Sequence, residues 1–256
     1  MIRLILLSLS LSLLLSALPA RAERVVASLS QDTIAITASF DGSEVFVFGA
    51  VKREAPMPEG KPLDVVITLQ GPSAPATVRR KERVAGIWVN TQAVEVDLAP
   101  AFYAVATTGP FEQVISQTED LRHAVSIPRA IRSVGAPPDV QDAQAFTEAL
   151  IRLRARSGAY RLEEGDVGIE EQTLFSTRFV LPANLVEGPY RARIFLTRDR
   201  DVVDLYETEI DVRKVGLERW VYNLAHQQPF IYGLLSLAIA IAAGWGASAV
   251  FRYIRG

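Results

Sequence analysis

Between residues 23 and 215 apolar and polar side chains alternate with a period of two, the pattern of half-buried β-strands. In Thr33–Phe40, Ile34, Ile36, Ala38 and Phe40 share one face, with Thr33, Thr37 and Ser39 on the other. Asp41-Gly42 is a turn dipeptide and Glu44–Val51 returns as a strand, which predicts a hairpin. Leu63, Val65, Ile67 and Leu69 point inward in the next strand, while Asp64, Thr68 and Gln70 point outward. Val84–Asn90, Val94–Leu98 and Phe102–Thr108 continue the series, and Trp88, between Ile87 and Val89, reads as a packed sheet residue. Pro56, Pro58, Gly60 and Pro62 punctuate one loop, and Gly71, Pro72 and Pro75 another. Strands resume after Tyr160. Leu174–Leu181 places Phe175, Phe179 and Leu181 on one side, and Tyr190, Ala192, Ile194 and Leu196 alternate with Arg191 and Arg193. The turn Asp199–Asp201 leads into Val202–Val212.

The period changes twice. After Asp139, with Asp142 in the first turn, Ala143, Phe146, Leu150 and Leu153 recur at helical spacing. Arg152, Arg154 and Arg156 crowd the last turns before Gly158, and cations there suit the helix dipole better than they suit an anion site. A shorter helix is predicted near Thr118–Val125. The second change is at Phe230–Phe251, which holds no charged residue. Its 22 positions reach roughly 33 Å as a helix, close to the hydrocarbon thickness of a bilayer. Arg252 and Arg255 follow, and their charge favours the cytoplasmic side. Before the span, Leu217, Trp220, Val221 and Leu224 share a helical face, and Trp220 and Tyr222 have the amphipathic character of interfacial anchors.

At the other end, Met1–Arg3, an apolar run Leu4–Ala17 and the small-x-small step Ala20-Arg21-Ala22 form the layout of a secretory signal peptide cleaved after Ala22. An uncleaved anchor is the other reading, and either puts residues 23–229 outside the cytoplasm. The expected organisation is a signal peptide (1–22), a first β-sandwich module (23–110), a helical linker region (111–158), a second β module (159–215), a juxtamembrane amphipathic segment (216–229), a transmembrane helix (230–251) and a cytoplasmic tail (252–256). The fold class is mainly β, with two immunoglobulin-like antiparallel sandwiches and a C-terminal membrane helix. The Gly188-Pro189-Tyr190 step resembles the tyrosine placement of immunoglobulin-like sandwiches.

Composition narrows the chemistry. There is no cysteine, so thiol catalysis, disulfides and lipoprotein anchoring are excluded. Only His123 and His226 are present, too few for a His-rich metal site. Glu163, Glu164, Asp166, Glu170 and Glu171, and separately Asp199, Asp201 and Asp204, are turn-associated acids without EF-hand spacing. Residues 23–229 hold 23 basic against 29 acidic residues, net −6, and no basic patch with interleaved aromatics, so nucleic acid is not an expected partner. Neither a cofactor, a metal nor an enzymatic activity is predicted. Within the span, Ala238, Ala242 and Gly246 recur at i, i+4 and i+8, with Gly244 and Ser248 repeating the small-x-x-x-small spacing beside them. Such a strip predicts close approach of a partner helix, from a second copy or a multi-spanning protein.

Val212–Arg252 resembles the tail of the alphaproteobacterial transmembrane protein family Alph_Pro_TM. Lys214-Val215-Gly216, Leu224-Ala225-His226, Tyr232-Gly233, Gly244-Trp245 and Phe251-Arg252 carry the likeness. The strand block LPANLVEGPYRARIFLTRD and Phe48–Val51 fit it as well. The resemblance implies no activity, cofactor or catalytic residue. It implies a transport partner, since members of this family look like neighbours of sulfite-exporter-type permeases. The leading expectation is an inner-membrane protein with a periplasmic β-rich part, acting through protein contacts as an accessory to such a transporter. The alternative is a periplasmic small-ligand sensor, with its ligand in a cleft between the two β parts.

Overall fold

The computed structural model describes residues 23–37, 40–53, 62–135, 140, 142–215 and 217–255. The expected signal peptide, the Pro56–Gly60 loop and Asp139 lie outside these. Twelve strands and six helices are present among the described residues. The strands β1 (Glu23–Leu29), β2 (Thr33–Ile36), β3 (Ser43–Arg53), β4 (Asp64–Gln70), β5 (Ser73–Val84), β6 (Ile87–Pro100) and β7 (Tyr103–Thr107) come first. The helices α1 (Phe111–Val114), α2 (Gln117–His123), α3 (Ile127–Ala130) and α4 (Ala143–Arg156) follow. Then come β8 (Tyr160–Glu164), β9 (Gly168–Glu170), β10 (Leu174–Leu181), β11 (Gly188–Arg198), β12 (Asp201–Lys214), α5 (Leu217–Gln227) and α6 (Pro229–Arg255).

The fold is mainly β with several antiparallel sheets and a C-terminal helix, as the alternation requires. The division into two successive modules does not hold. A four-stranded sheet has the order β1-β3-β10-β9, and a six-stranded sheet the order β2-β12-β11-β4-β7-β8. Strands from before and after the helices therefore pair with one another: β3 with β10, and β4 with β11 in the register Val66↔Phe195. The physical reason is burial. β4 is an apolar run whose central five residues are all buried, so it needs a strand partner on each side and cover on both faces. The expected hairpin at Asp41-Gly42 is also absent. β2 pairs in parallel with β12, whereas β3 lies in the other sheet, so the turn carries the chain between layers.

Three layers result. One core lies between the two sheets, with Val45, Val47, Phe175 and Phe179 meeting Ile67, Leu69, Ile194 and Leu196. A second core covers the opposite face of the six-stranded sheet. There Val66, Val105 and Phe195 pack under Phe146 and Leu150 of α4 and under Val78, Val94 and Val96 of the β5–β6 ribbon. Thr68, expected to face water, is fully buried beneath this layer. Tyr190 is buried in the first core: its hydroxyl donates to the Val186 carbonyl at 3.1 Å, and burial pushes its pKa up to about 12.

Arg193, read from alternation as outward, ties the helical layer to the sheet. Its guanidinium donates to the carbonyls of His123 (2.7 Å) and Ala124 (3.0 Å), which close α2. It also donates to the hydroxyls of Tyr103 (3.0 Å) and Thr68 (3.2 Å). Tyr103 in turn donates to the Val125 carbonyl at 2.7 Å. A cation at a helix C-terminus is favourable, and here it also satisfies carbonyls that water cannot reach easily. Arg193→Met should cost about 2–4 kcal/mol because several acceptors lose their donor at once, whereas Tyr103→Phe should cost about 1 kcal/mol. Denaturant unfolding of the full chain in detergent checks both the size and the order of the two losses.

Candidate functional site

The apolar span forms part of α6, an unbroken helix over Pro229–Arg255. Its window Pro229–Ser248 has a mean hydropathy of 1.8, and none of that window is buried against the rest of the protein. Ala238, Ala242 and Gly246 do form one strip, since steps of four residues advance only about 40° around a helix. Gly244 and Ser248 do not belong to it. Two residues from Ala242 is about 200°, which places Gly244 on the opposite side of the helix, among Leu237 and Ile241. The backbone at Arg252 and Arg255 is helical; their side chains lie outside the described residues. In α5, Trp220 is 54% and Tyr222 61% exposed, and the Tyr222 ring stacks on His226 at 4.0 Å. The two helices follow each other almost without a break, with Gln228 N donating to Leu224 O and Tyr232 N to Gln228 O.

Two further apolar surfaces lie on the β domain. The first is the end of the β5–β6 ribbon. Ile87–Pro100 is a single strand turning at Ala85-Gly86, so the expected strand Val84–Asn90 spans the turn itself. Both turn residues have positive φ, 49° and 87°, which suits the twist of a two-residue hairpin. From Lys81 to Thr91 every residue is exposed, including Val84, Ile87 and Val89. Trp88 is 70% exposed and is not the packed residue expected. The second surface is the outer face of the four-stranded sheet. Here Val26, Phe46, Phe48 and Leu174 are exposed, and a groove of about 520 Å³ opens among Val26, Phe48, Ala50, Leu174 and Ser176, with Glu170 at its side.

The ionisable groups are mostly occupied in holding the fold. Glu23 is buried between Arg53 (3.2 Å) and Arg198 (2.8 Å), and Asp204 accepts from Val25 N at 2.8 Å. Glu164 accepts from Phe111 N at 2.6 Å, and Asp166 accepts from the Thr177 hydroxyl. Arg154 donates to the Ala101 carbonyl at 3.0 Å. His123 contacts Glu119 at 3.3 Å and packs edge-on against Phe195. Among the described residues no three His, Asp or Glu side chains gather as metal ligands. The cleft expected between two β parts does not exist, because those parts share both sheets and the space between the sheets is core. Sequence reasoning missed the ribbon end and the sheet face, although Ala85-Gly86 between apolar flanks was a readable turn signal.

A family model described as "Putative transmembrane protein (Alph_Pro_TM)" matches residues 24–253. The chain belongs to this family. The match runs through both sheets, the helical layer and the apolar helix α6, so these elements are one family unit. No curated protein matches this family member. Among solved structures, the sporulation control protein Spo0M of Bacillus subtilis shows 11% identity and a TM-score of 0.28, over 79% of this chain and 53% of that one. The chain thus spans about half the length of Spo0M, and a likeness at that score carries no argument.

Glu163 is held above its ordinary range. Burial raises its pKa, the Arg161 guanidinium opposes this and Asp166 adds to it; Oε2 has no hydrogen-bond partner. An acid with a raised folded-state pKa costs stability when ionised. That cost is present at neutral pH, is relieved as pH falls through the raised value, and is gone below the ordinary glutamate value of about 4.3. Glu163→Gln should therefore raise the thermal midpoint near neutrality, and the difference from wild type should close on acidification. Calorimetry of the full chain at a series of pH values measures this.

Proposed function

We propose that this family member is a non-enzymatic, membrane-anchored contact protein of the inner membrane, with its β domain in the periplasm and its C-terminal tail in the cytoplasm. The observation that carries this reading is the amount of apolar surface left uncovered. Val84, Ile87 and Val89 share one face of the ribbon end with Trp88 on the other, and Val26, Phe46, Phe48 and Leu174 lie together on the sheet face. Scattered exposed apolar residues need no explanation, but contiguous patches on an otherwise closed domain mark contact surfaces. In the bilayer, the strip Ala238, Ala242 and Gly246 offers a partner helix close approach. A multi-spanning transporter of the sulfite-exporter type is the partner we favour there.

Orientation is tested by a reporter active only in the cytoplasm, fused after Gly256: it should be active, and an export-dependent reporter at the same place silent. The strip is tested by Ala242→Leu with Gly246→Leu, which keeps the span apolar while filling its shallow side. Crosslinking to membrane partners should fall several-fold, with insertion unchanged. Gly244→Leu, on the opposite side, should leave the crosslinks intact.

A further inference from the structure

We propose that the β5–β6 ribbon is an arm whose end seats in the sheet-face groove of a second copy of this chain. This deepens the contact-protein reading and rests on it. The arm begins where β4 ends and β7 starts: Ser73 pairs Pro100, next to Gln70 paired with Tyr103. Val78 and Val94 are its last buried residues and Arg80 still lies over Phe146, so the five residues from Lys81 to Ala85 reach about 17 Å beyond the body at strand rise. Cross-strand register puts Arg83 opposite Trp88 and Lys81 opposite Asn90, so aromatic ring and cations share one face. Val84 and Ile87 make the pair next to the turn.

Shape and charge both favour a like copy. The arm carries Arg79, Arg80, Lys81 and Arg83 against Glu82, a net of +3. The remainder of residues 23–229 holds 19 basic against 28 acidic residues, a net of −9. A basic arm on an acidic body is repelled by other arms and attracted to other bodies. The groove is mainly apolar, its lining includes the small residues Ala50, Ser28 and Ser176, and the one charged residue lining it is Glu170. Trp88 can enter there with Arg83 facing Glu170.

An arm cannot serve its own groove. The ribbon packs on the outer side of the six-stranded sheet, while the groove opens on the outer side of the four-stranded sheet, so both sheets lie between them. The contact is therefore between copies, and because arm and groove are different surfaces it is heterologous and extends to rings or rows. The arm's position argues against lipid as the occupant. It starts at the end of the sheet from which β12 leads to α5 and α6, then runs back along α4, with Arg80 over the Phe146 ring at 4.7 Å.

The absence of cysteine makes a direct test clean. Ala85→Cys at the turn and Ser176→Cys in the groove are placed on two differently tagged full-length chains, co-expressed in membranes and treated with a short bis-maleimide. A mixed-tag product is expected, with none when Glu209→Cys replaces the groove position. Trp88→Ala on the arm chain should lower the yield about tenfold, as loss of one buried aromatic anchor implies. Arg83→Glu or Glu170→Arg alone should lower it, and the two together should restore it. Absence of the mixed product, or indifference to the charge exchange, overturns the proposal. So does quenching of Trp88 emission by brominated lipid in a Trp220→Phe, Trp245→Phe background, which would make the bilayer the occupant. If the mixed product is absent while other membrane proteins still crosslink through Ala85→Cys, the contact-protein reading stands and only the self-docking falls.

Discussion

The pairing of β4 with β11 is the constraint on which the other layers depend. Both strands are buried along their centres, so the six-stranded sheet has two dry faces and every peptide group in its middle must find a neighbour. One face is covered by a second sheet, which comes with its own hydrogen-bond ladder. The other is covered by four helices and a two-stranded ribbon, and these have no ladder to the sheet. Three of the helices are seven residues or shorter and have little stability of their own. Arg193 substitutes for the missing ladder, joining a sheet strand to the carbonyls that end α2. Asp120 does comparable work beside it, accepting from Val125 N and Ser126 N.

Much of this fold was legible in the sequence. The strands β10, β11 and β12, the helix α4 and the apolar length of α6 follow from periodicity alone, because each has one dominant environment along its length. What alternation does not encode is the partner. It marks Thr68 and Arg193 as polar positions, but whether water or another layer meets that face depends on residues more than fifty positions away, as the bonds from Arg193 to His123 and Thr68 show. The two-module reading failed for the same reason. Trp88 failed in the opposite sense: an apolar run next to a turn has the same pattern whether it is buried or projects into solvent. On the apolar helix α6, small-residue spacing was legible, yet only explicit helical geometry separates Gly244 and Ser248 from Ala238, Ala242 and Gly246.

The first core is closed tightly beneath an outer sheet face that stays apolar and exposed. Gly49 illustrates how tightly the first core is set. A Cβ there would lie 2.4 Å from Phe175 Cζ and 2.7 Å from the Val26 carbonyl oxygen, so β1, β3 and β10 approach as closely as their backbones permit. The same three strands present Val26, Phe48 and Leu174 on their other side. A sheet this rigid on its inner face cannot rearrange to hide its outer one, which makes the outer apolar surface a fixed property of the domain.

The interleaved sheets also set the order in which the chain can become protected during synthesis. β3 and β4 wait for β10 and β11, and Glu23 waits for Arg198, a separation of 175 residues. Until the last strands arrive, β3 has only β1 beside it and β4 only β7, so each keeps one open edge and an uncovered apolar face, and closing such distant contacts is slow. The apolar α6 comes last of all, after β12 has completed the sheet. A chain of this design spends most of its synthesis as an aggregation-prone intermediate, so its yield in a cell is governed by whatever holds the early strands apart until β10 to β12 exist.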